Sequence, residues 1–361
     1  MRSLYWPVCV ICLVLCFATS AFARDARLDA LVNQGIVTEE EIAAAEMEGP
    51  NTWMAKEAHD IYISGYVQPW AKYMNDADPD SAFGVHRARL KAAGSLGDNW
   101  IFVIEADFAN NADLTDVGVG YNYGDGTIKM GQFKVPFLYE NMTYSNMLDT
   151  IERSQFTSIL YERDIGVFVD YNFLEGKVGV QAAVTNGEGA NATEANDDKD
   201  YYVRVSGMPF QGSEGPADNL MIAGAYTSGS MAYFDDLGVD LGDYDGDAWV
   251  GTVSWTYAQF KVQGEYLDGK QDMPTGNLDG NAWYVYALYN MALDSMTVTP
   301  VVKYETIDVN LTEENGDWIT LGVRISFVGI HDVKLEANYV LEDLDIGDDI
   351  DEFILQLTAS F

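Results

Sequence analysis

The chain has 361 residues, a formal net charge of −37 at pH 7 and 13% aromatic residues. That charge excludes a basic nucleic-acid-binding surface, and the aromatic content argues against disorder. Past the first twenty or so residues there is no apolar run of about 18 residues, so no membrane-spanning helix is expected.

Residues 1–23 read as a signal peptide. Arg2 supplies the charge, Val8 to Ala18 the apolar core, and Ala21-Phe22-Ala23 the cleavage site. Cys9, Cys12 and Cys16 all fall inside it, so the exported chain has no cysteine. An exported chain without disulfides fits a bacterial envelope better than a eukaryotic secretory route. Residues 24–58 read as a periplasmic helical arm. Leu28, Leu31, Val32 and Ile36 form one stripe, and Thr38 with Glu41 makes a capping box for a helix from Glu39 to Met47.

Residues 59–361 change to a period of two. The last segment puts Phe353, Leu355, Leu357, Ala359 and Phe361 on one face and Gln356, Thr358 and Ser360 on the other. Such alternation predicts sixteen strands, at 60–74, 83–94, 100–109, 115–123, 127–135, 165–173, 177–186, 200–208, 219–228, 247–256, 259–267, 281–291, 296–306, 318–327, 332–341 and 352–361. Strands of about ten residues with one apolar and one polar face are the pattern of a transmembrane β-barrel. Lipid cannot satisfy backbone N–H and C=O groups, so a sheet in a bilayer must close on itself. The expected fold is therefore an all-β, 16-stranded antiparallel barrel. A soluble β-sandwich also alternates, but it would have to bury the apolar faces against a second sheet.

The connections after even strands are short, except Pro209 to Asp218. Those after odd strands are longer and acidic, as in Asp235 to Asp247 and Glu342 to Glu352. The outer rim should thus be strongly negative. No cofactor is expected, although such loops suit diffuse Ca²⁺ or Mg²⁺ bridging to lipopolysaccharide. The Asp243-Tyr-Asp245-Gly-Asp247 run lacks the Gly and Glu that a calcium-binding EF-hand loop needs further along.

One connection is far longer than the rest. From Val135 to Asp164 the alternation stops, yet Phe137, Leu138, Met142, Leu148, Ile151 and Phe156 give the segment apolar surface. Loops of that length are functional or disordered, and a sixteen-stranded barrel leaves a water-filled interior. The expectation is a third loop folded into the lumen, narrowing it, with Glu140, Glu152, Arg153 and Arg163 among its charges. An outward cap or a latch between protomers is the competing reading.

His86-Arg-Ala-Arg-Leu90, Glu105-Ala-Asp-Phe108, Gly131-Gln-Phe-Lys-Val-Pro-Phe137 and Ile151-Glu-Arg153 resemble the phosphate-selective porin O/P family of Gram-negative outer membranes. The resemblance implies a sixteen-stranded barrel, a homotrimer in outer-membrane lipid and lipopolysaccharide, and passive diffusion of small hydrophilic solutes and ions, anions such as phosphate among them. Matching members carry a basic residue where His86 stands here. Arg87, Arg89 and Lys91 share one face of their strand, opposite Ala88, Leu90 and Ala92. Facing lipid, each charge would cost about 2–4 kcal/mol at the midplane, so the trio should line the pore with Lys129 and Lys134. Two readings compete with an anion-passing porin: a cation-leaning general porin, and a non-conducting structural or adhesin barrel. An enzyme is not expected, since no serine, histidine and amide trio gathers on one outer face.

Overall fold

Along most of the strands, the residues that alternate outward are apolar and those that alternate inward are polar. In the computed structural model Phe353, Leu355 and Leu357 are exposed, while the intervening Ile354, Gln356 and Thr358 are buried. Val203 and Val205 are exposed beside buried Arg204, and Val302 is exposed beside buried Lys303. A water-soluble sheet shows the reverse. The structure describes residues 58–361 apart from 76–77, 110, 159–160, 195, 214, 235–239, 273–276, 311–314, 328–332 and 345–350. The expected leader and nearly all of the expected arm lie outside the described residues.

The strands are β1 (Ala58–Met74), β2 (Ser81–Leu96), β3 (Trp100–Asp107), β4 (Asp113–Tyr123), β5 (Gly126–Lys134), β6 (Arg163–Phe173), β7 (Val178–Thr185) and β8 (Asp200–Gly207). They continue as β9 (Asn219–Phe234), β10 (Asp240–Tyr257), β11 (Phe260–Gln271), β12 (Leu278–Tyr289), β13 (Met291–Ala292), β14 (Met296–Val309), β15 (Gly316–Phe327), β16 (Val333–Leu344) and β17 (Glu352–Ser360). The two-residue β13 continues the line of β12, because both pair with β14. Sixteen spanning strands remain, each overlapping a predicted one. Each pairs antiparallel with its neighbour in sequence, and β1 also pairs with β17, from Tyr66↔Ser360 to Met74↔Glu352. Gly65 and Phe361 exchange both backbone hydrogen bonds at 2.9 Å. The sheet is closed and has no edge, which is what a bilayer demands.

Aromatic pairs mark two levels. At the short-turn end lie Trp100–Tyr121 at 5.1 Å, Tyr171–Phe173 at 4.7 Å and Phe260–Tyr289 at 4.6 Å between ring centroids. Toward the other end lie Trp249–Tyr266 at 5.3 Å and Trp283–Tyr304 at 5.2 Å. Amphipathic rings collect where hydrocarbon meets headgroups.

The strands run further than predicted at the long-loop end. Asp243, Asp245 and Asp247, expected in the fifth outer loop, stand in β10 opposite Ala232, Ser230 and Ser228 of β9. Acidic composition reads as loop, but beyond the membrane an acidic residue costs a strand little, and ladder pairing still satisfies its backbone.

Gly131 shows why one motif residue is a glycine. It sits in β5 at φ 139°, and a Cβ there would lie 2.1 Å from the Val117 carbonyl oxygen. Only glycine adopts that backbone and tolerates that approach.

Candidate functional site

At Lys134 the chain leaves the sheet, and at Arg163 it returns. The neck is closed by the Val135 N–H donating to the Glu162 carbonyl at 3.1 Å. Between them lie a short helix (Tyr139–Met142) and two 3₁₀ turns (Ser145–Met147 and Gln155–Ser158). Val135, Phe137, Leu138, Leu148, Ile151 and Phe156 are all buried. Phe156 stacks on Tyr284 of β12 at 5.9 Å, and Phe137 meets Tyr202 of β8 edge-on at 6.4 Å.

Polar contacts hold the segment at three places. Near its start, the Glu265 carboxylate accepts the Tyr139 and Glu140 N–H groups at 2.7 and 3.2 Å. Glu265 also takes hydrogen bonds from Thr252 (2.9 Å) and Tyr284 (3.0 Å), while Arg204 donates to the Phe137 carbonyl at 2.7 Å. In the middle, Asp149 accepts from Lys261 at 2.6 Å, Tyr286 at 2.7 Å and Arg324 at 3.2 Å. Further on, Glu152 pairs with His86 at 3.2 Å and Arg87 at 3.7 Å. The His86 Nδ1 lies 2.8 Å from the Gln356 side-chain amide oxygen Oε1. These partners come from β2, β8, β10, β11, β12, β15 and β17.

A second set of contacts shapes the segment itself. Arg153 donates to the carbonyls of Glu140 and Thr143, both at 2.8 Å. Lys134 donates to the carbonyls of Asn141 (2.6 Å) and Thr143 (2.8 Å). Glu140 accepts the Ser154 N–H at 2.7 Å and lies 3.8 Å from Lys303. Glu162 gathers Lys134 (2.8 Å), Arg163 (2.9 Å) and Arg153 (3.2 Å), and Arg163 also reaches Asp116 at 2.8 Å. Between the segment and the β1–β2–β17 wall lies a cavity of about 580 Å³, edged by Arg87, Glu152, Arg153, Glu162 and the Lys72–Glu352 pair.

The structure thus brings Arg87 and Glu152 together on that cavity, and places Lys134, Glu140, Arg153 and Arg163 in contacts at or within the segment. Arg89 pairs with Asp107 at 2.9 Å. Lys91 and Lys129 differ. Lys91 lies 5.0 Å over the Tyr144 ring and donates to its hydroxyl at 3.3 Å. Lys129 lies 4.1 Å over Phe168. Among the described residues no carboxylate forms an ion pair with either. The residues that motif reading missed as partners are His86, Glu265, Tyr286 and Arg324. For Glu265, Tyr286 and Arg324 the only signal was a polar side chain on the inward face of a strand, whereas His86 stood in the motif, on the face that alternation gave to Ala88 and Leu90.

Three carboxylates of the segment, Asp149, Glu152 and Glu162, lie below their ordinary pKa values. Burial pushes Asp149 up, but Lys261 and Arg324 pull harder, and it ends below its ordinary value. Burial likewise opposes ionisation of Glu162, and Arg163, Arg153 and Lys134 more than reverse it. A depressed carboxylate contributes fully above its ordinary pKa, about 4, and the contribution is lost as pH falls through the lower value. Limited proteolysis of the segment should therefore be unchanged from neutral pH to about pH 4 and should rise only below that. Onset of cleavage near pH 6 would contradict the assignment.

A closed sixteen-stranded barrel, apolar outside and polar inside, with a long connection between β5 and β6, is an architecture shared with the porins. Over residues 64–229 the chain matches the family model described as phosphate-selective porin O and P, the family that its motifs resemble. Solved structures with the same fold include the trimer form of OmpT, an outer membrane protein of Vibrio cholerae, with 14% identity, 84% of this chain and 99% of that chain covered, and a TM-score of 0.61. An anion-selective porin from Comamonas acidovorans aligns at 13% identity over 84% and 99%, with a TM-score of 0.59. OmpF of Salmonella typhi, solved with daunomycin, aligns at 13% identity over 83% and 97%, with a TM-score of 0.62. No curated protein matches the chain.

Proposed function

We propose that the protein is an outer-membrane porin of a Gram-negative bacterium, a passive channel for small hydrophilic solutes and ions. The observation that carries this reading is the inverted barrel, lipid-compatible outside and charged inside, together with the family match over 64–229. The 135–162 segment folds into the lumen and narrows it, and transported ions pass the mixed charges of Arg87, Glu152, Arg153 and Glu162. Three copies assemble into a homotrimer in outer-membrane lipid, with Ca²⁺ or Mg²⁺ bridging its acidic loops to lipopolysaccharide. Purified protein in planar bilayers should conduct. Absence of conductance from a folded preparation would favour a structural or adhesin barrel instead.

Anion passage is the finer reading. It rests on Lys91 and Lys129, which among the described residues have no ion-paired carboxylate and lie instead over aromatic rings. Against it stands the negative rim, which repels anions until salt screens it. Across a tenfold KCl gradient the reversal potential should lie on the anion side, and K91E/K129E should move it toward cations by about 20 mV or more, a third of the roughly 59 mV limit. Phosphate should lower the current in the unsubstituted protein and not in the double variant. An unmoved potential, or cation preference from the start, would leave the cation-leaning general porin.

A further inference from the structure

Strict alternation along β2 would put His86 on the lipid side with Ala88, Leu90 and Ala92. The structure puts it inside. Phe83 and Val85 are exposed, yet His86 reaches the buried Gln356 of β17 and the Glu152 carboxylate. Its neighbour Arg87 reaches the buried Gln68 of β1 at 3.3 Å. Two consecutive side chains therefore point into the lumen. A strand does this where its pleat slips by one residue, as at a β-bulge, which re-aims a side chain.

The imidazole has a partner for each of its protonation states. Its Nε2 lies 3.2 Å from Glu152. At Nδ1 stand both an acceptor, the Gln356 Oε1 at 2.8 Å, and a donor, the Arg87 guanidinium at 3.1 Å. The Gln356 amide nitrogen faces Thr358 at 3.4 Å and Glu336 at 3.5 Å, which leaves its oxygen toward the ring. With Nε2–H donating to Glu152, a neutral ring accepts from Arg87 and a charged ring donates to Gln356. The proton can come and go while the surroundings stay in place.

The other charges here cancel. The cavity of about 580 Å³ is edged by three cations, Lys72, Arg87 and Arg153, and by three carboxylates, Glu152, Glu162 and Glu352. On β16, Glu336 has its own cation, Lys334, at 2.9 Å. Histidine changes charge between about pH 5 and 8, a window in which carboxylates, ammonium and guanidinium groups ordinarily keep theirs. We propose that His86 is a selectivity-setting residue, whose proton makes the balanced narrow part of the channel net positive, so that anion preference rises as the medium is acidified. This role presupposes a conducting channel. Silent bilayers would remove both, whereas a conducting channel blind to pH would remove the role of His86 alone.

The experiment measures the chloride-to-potassium permeability ratio of the full barrel in planar bilayers under a KCl gradient, at about pH 8 and about pH 5.5, the two sides of the histidine window. The ratio should rise by about threefold on acidification, the scale of one unit charge met through water. H86Q should hold the alkaline ratio at both pH values, and H86R the acid ratio at both. A merely structural role would leave these two variants alike. H59Q/H331Q, which keeps His86 as the last of the three histidines, should retain the whole shift, and it decides the matter if neither His86 variant folds. A ratio that ignores pH, a shift that survives in H86Q or disappears in H59Q/H331Q, or equal ratios in H86Q and H86R would overturn the assignment.

Discussion

Replacing Asp149 with alanine is expected to enlarge single-channel conductance and to make the 135–162 segment sensitive to protease. The carboxylate draws on three side chains from three strands: Lys261 of β11, Tyr286 of β12 and Arg324 of β15. Its removal leaves two cations and a hydroxyl without their acceptor. Deleting one partner of a buried ion pair costs about 3–5 kcal/mol, less whatever water in the lumen recovers. The barrel itself should survive, because backbone ladders and not side chains close it. Asp149→Asn separates charge from contact: it keeps hydrogen-bonding capacity, and an intermediate conductance is expected. Unchanged conductance and proteolysis in Asp149→Ala would mean that Glu265 and the apolar contacts suffice to hold the segment.

The second large effect is at Gly131. Valine there should abolish the folded barrel, read as loss of heat-modifiable migration on gels. Its Cβ would meet the Val117 carbonyl oxygen at 2.1 Å, and the backbone at φ 139° is one that L side chains rarely adopt. Gly176, at φ 85° and with open space where a Cβ would sit, is the control. Alanine there meets only the backbone penalty, so Gly176→Ala should assemble. If Gly131→Val assembled as well, β4 and β5 could separate locally, and the glycine would be a matter of convenience.

The strands were legible because their periodicity is enforced twice, once by lipid and once by water. Each of the sixteen spanning strands overlaps a segment read from alternation alone, including β17, where Phe353, Leu355 and Leu357 point one way. Strand ends outside the membrane were less legible. There neither solvent imposes a face, so Asp243 and Asp245 looked like loop while the backbone went on pairing. The excursion after Lys134 stood out by its length and apolar content, but its partners did not. Asp149 and Arg324 are 175 positions apart in sequence, and no local pattern joins them. Glu265 was recognisable as an inward acid, yet nothing near it announced that it would receive the Tyr139 and Glu140 N–H groups. Likewise, the reading of Arg153 as a charge at the narrowing carried no hint of its hydrogen bonds to the Glu140 and Thr143 carbonyls.

The junction between Tyr66 and Ser360 governs the order of construction. Antiparallel hairpins can zip between neighbours as the chain emerges, but the seam joins the two ends of the sheet and must wait for both. Until then β1 and β17 each present a row of bare amides, ready to stitch onto any other strand. Such distant pairings form late and slowly. An unsealed precursor is therefore the state most exposed to aggregation, and whatever escorts it to the membrane has to shield those two borders above all.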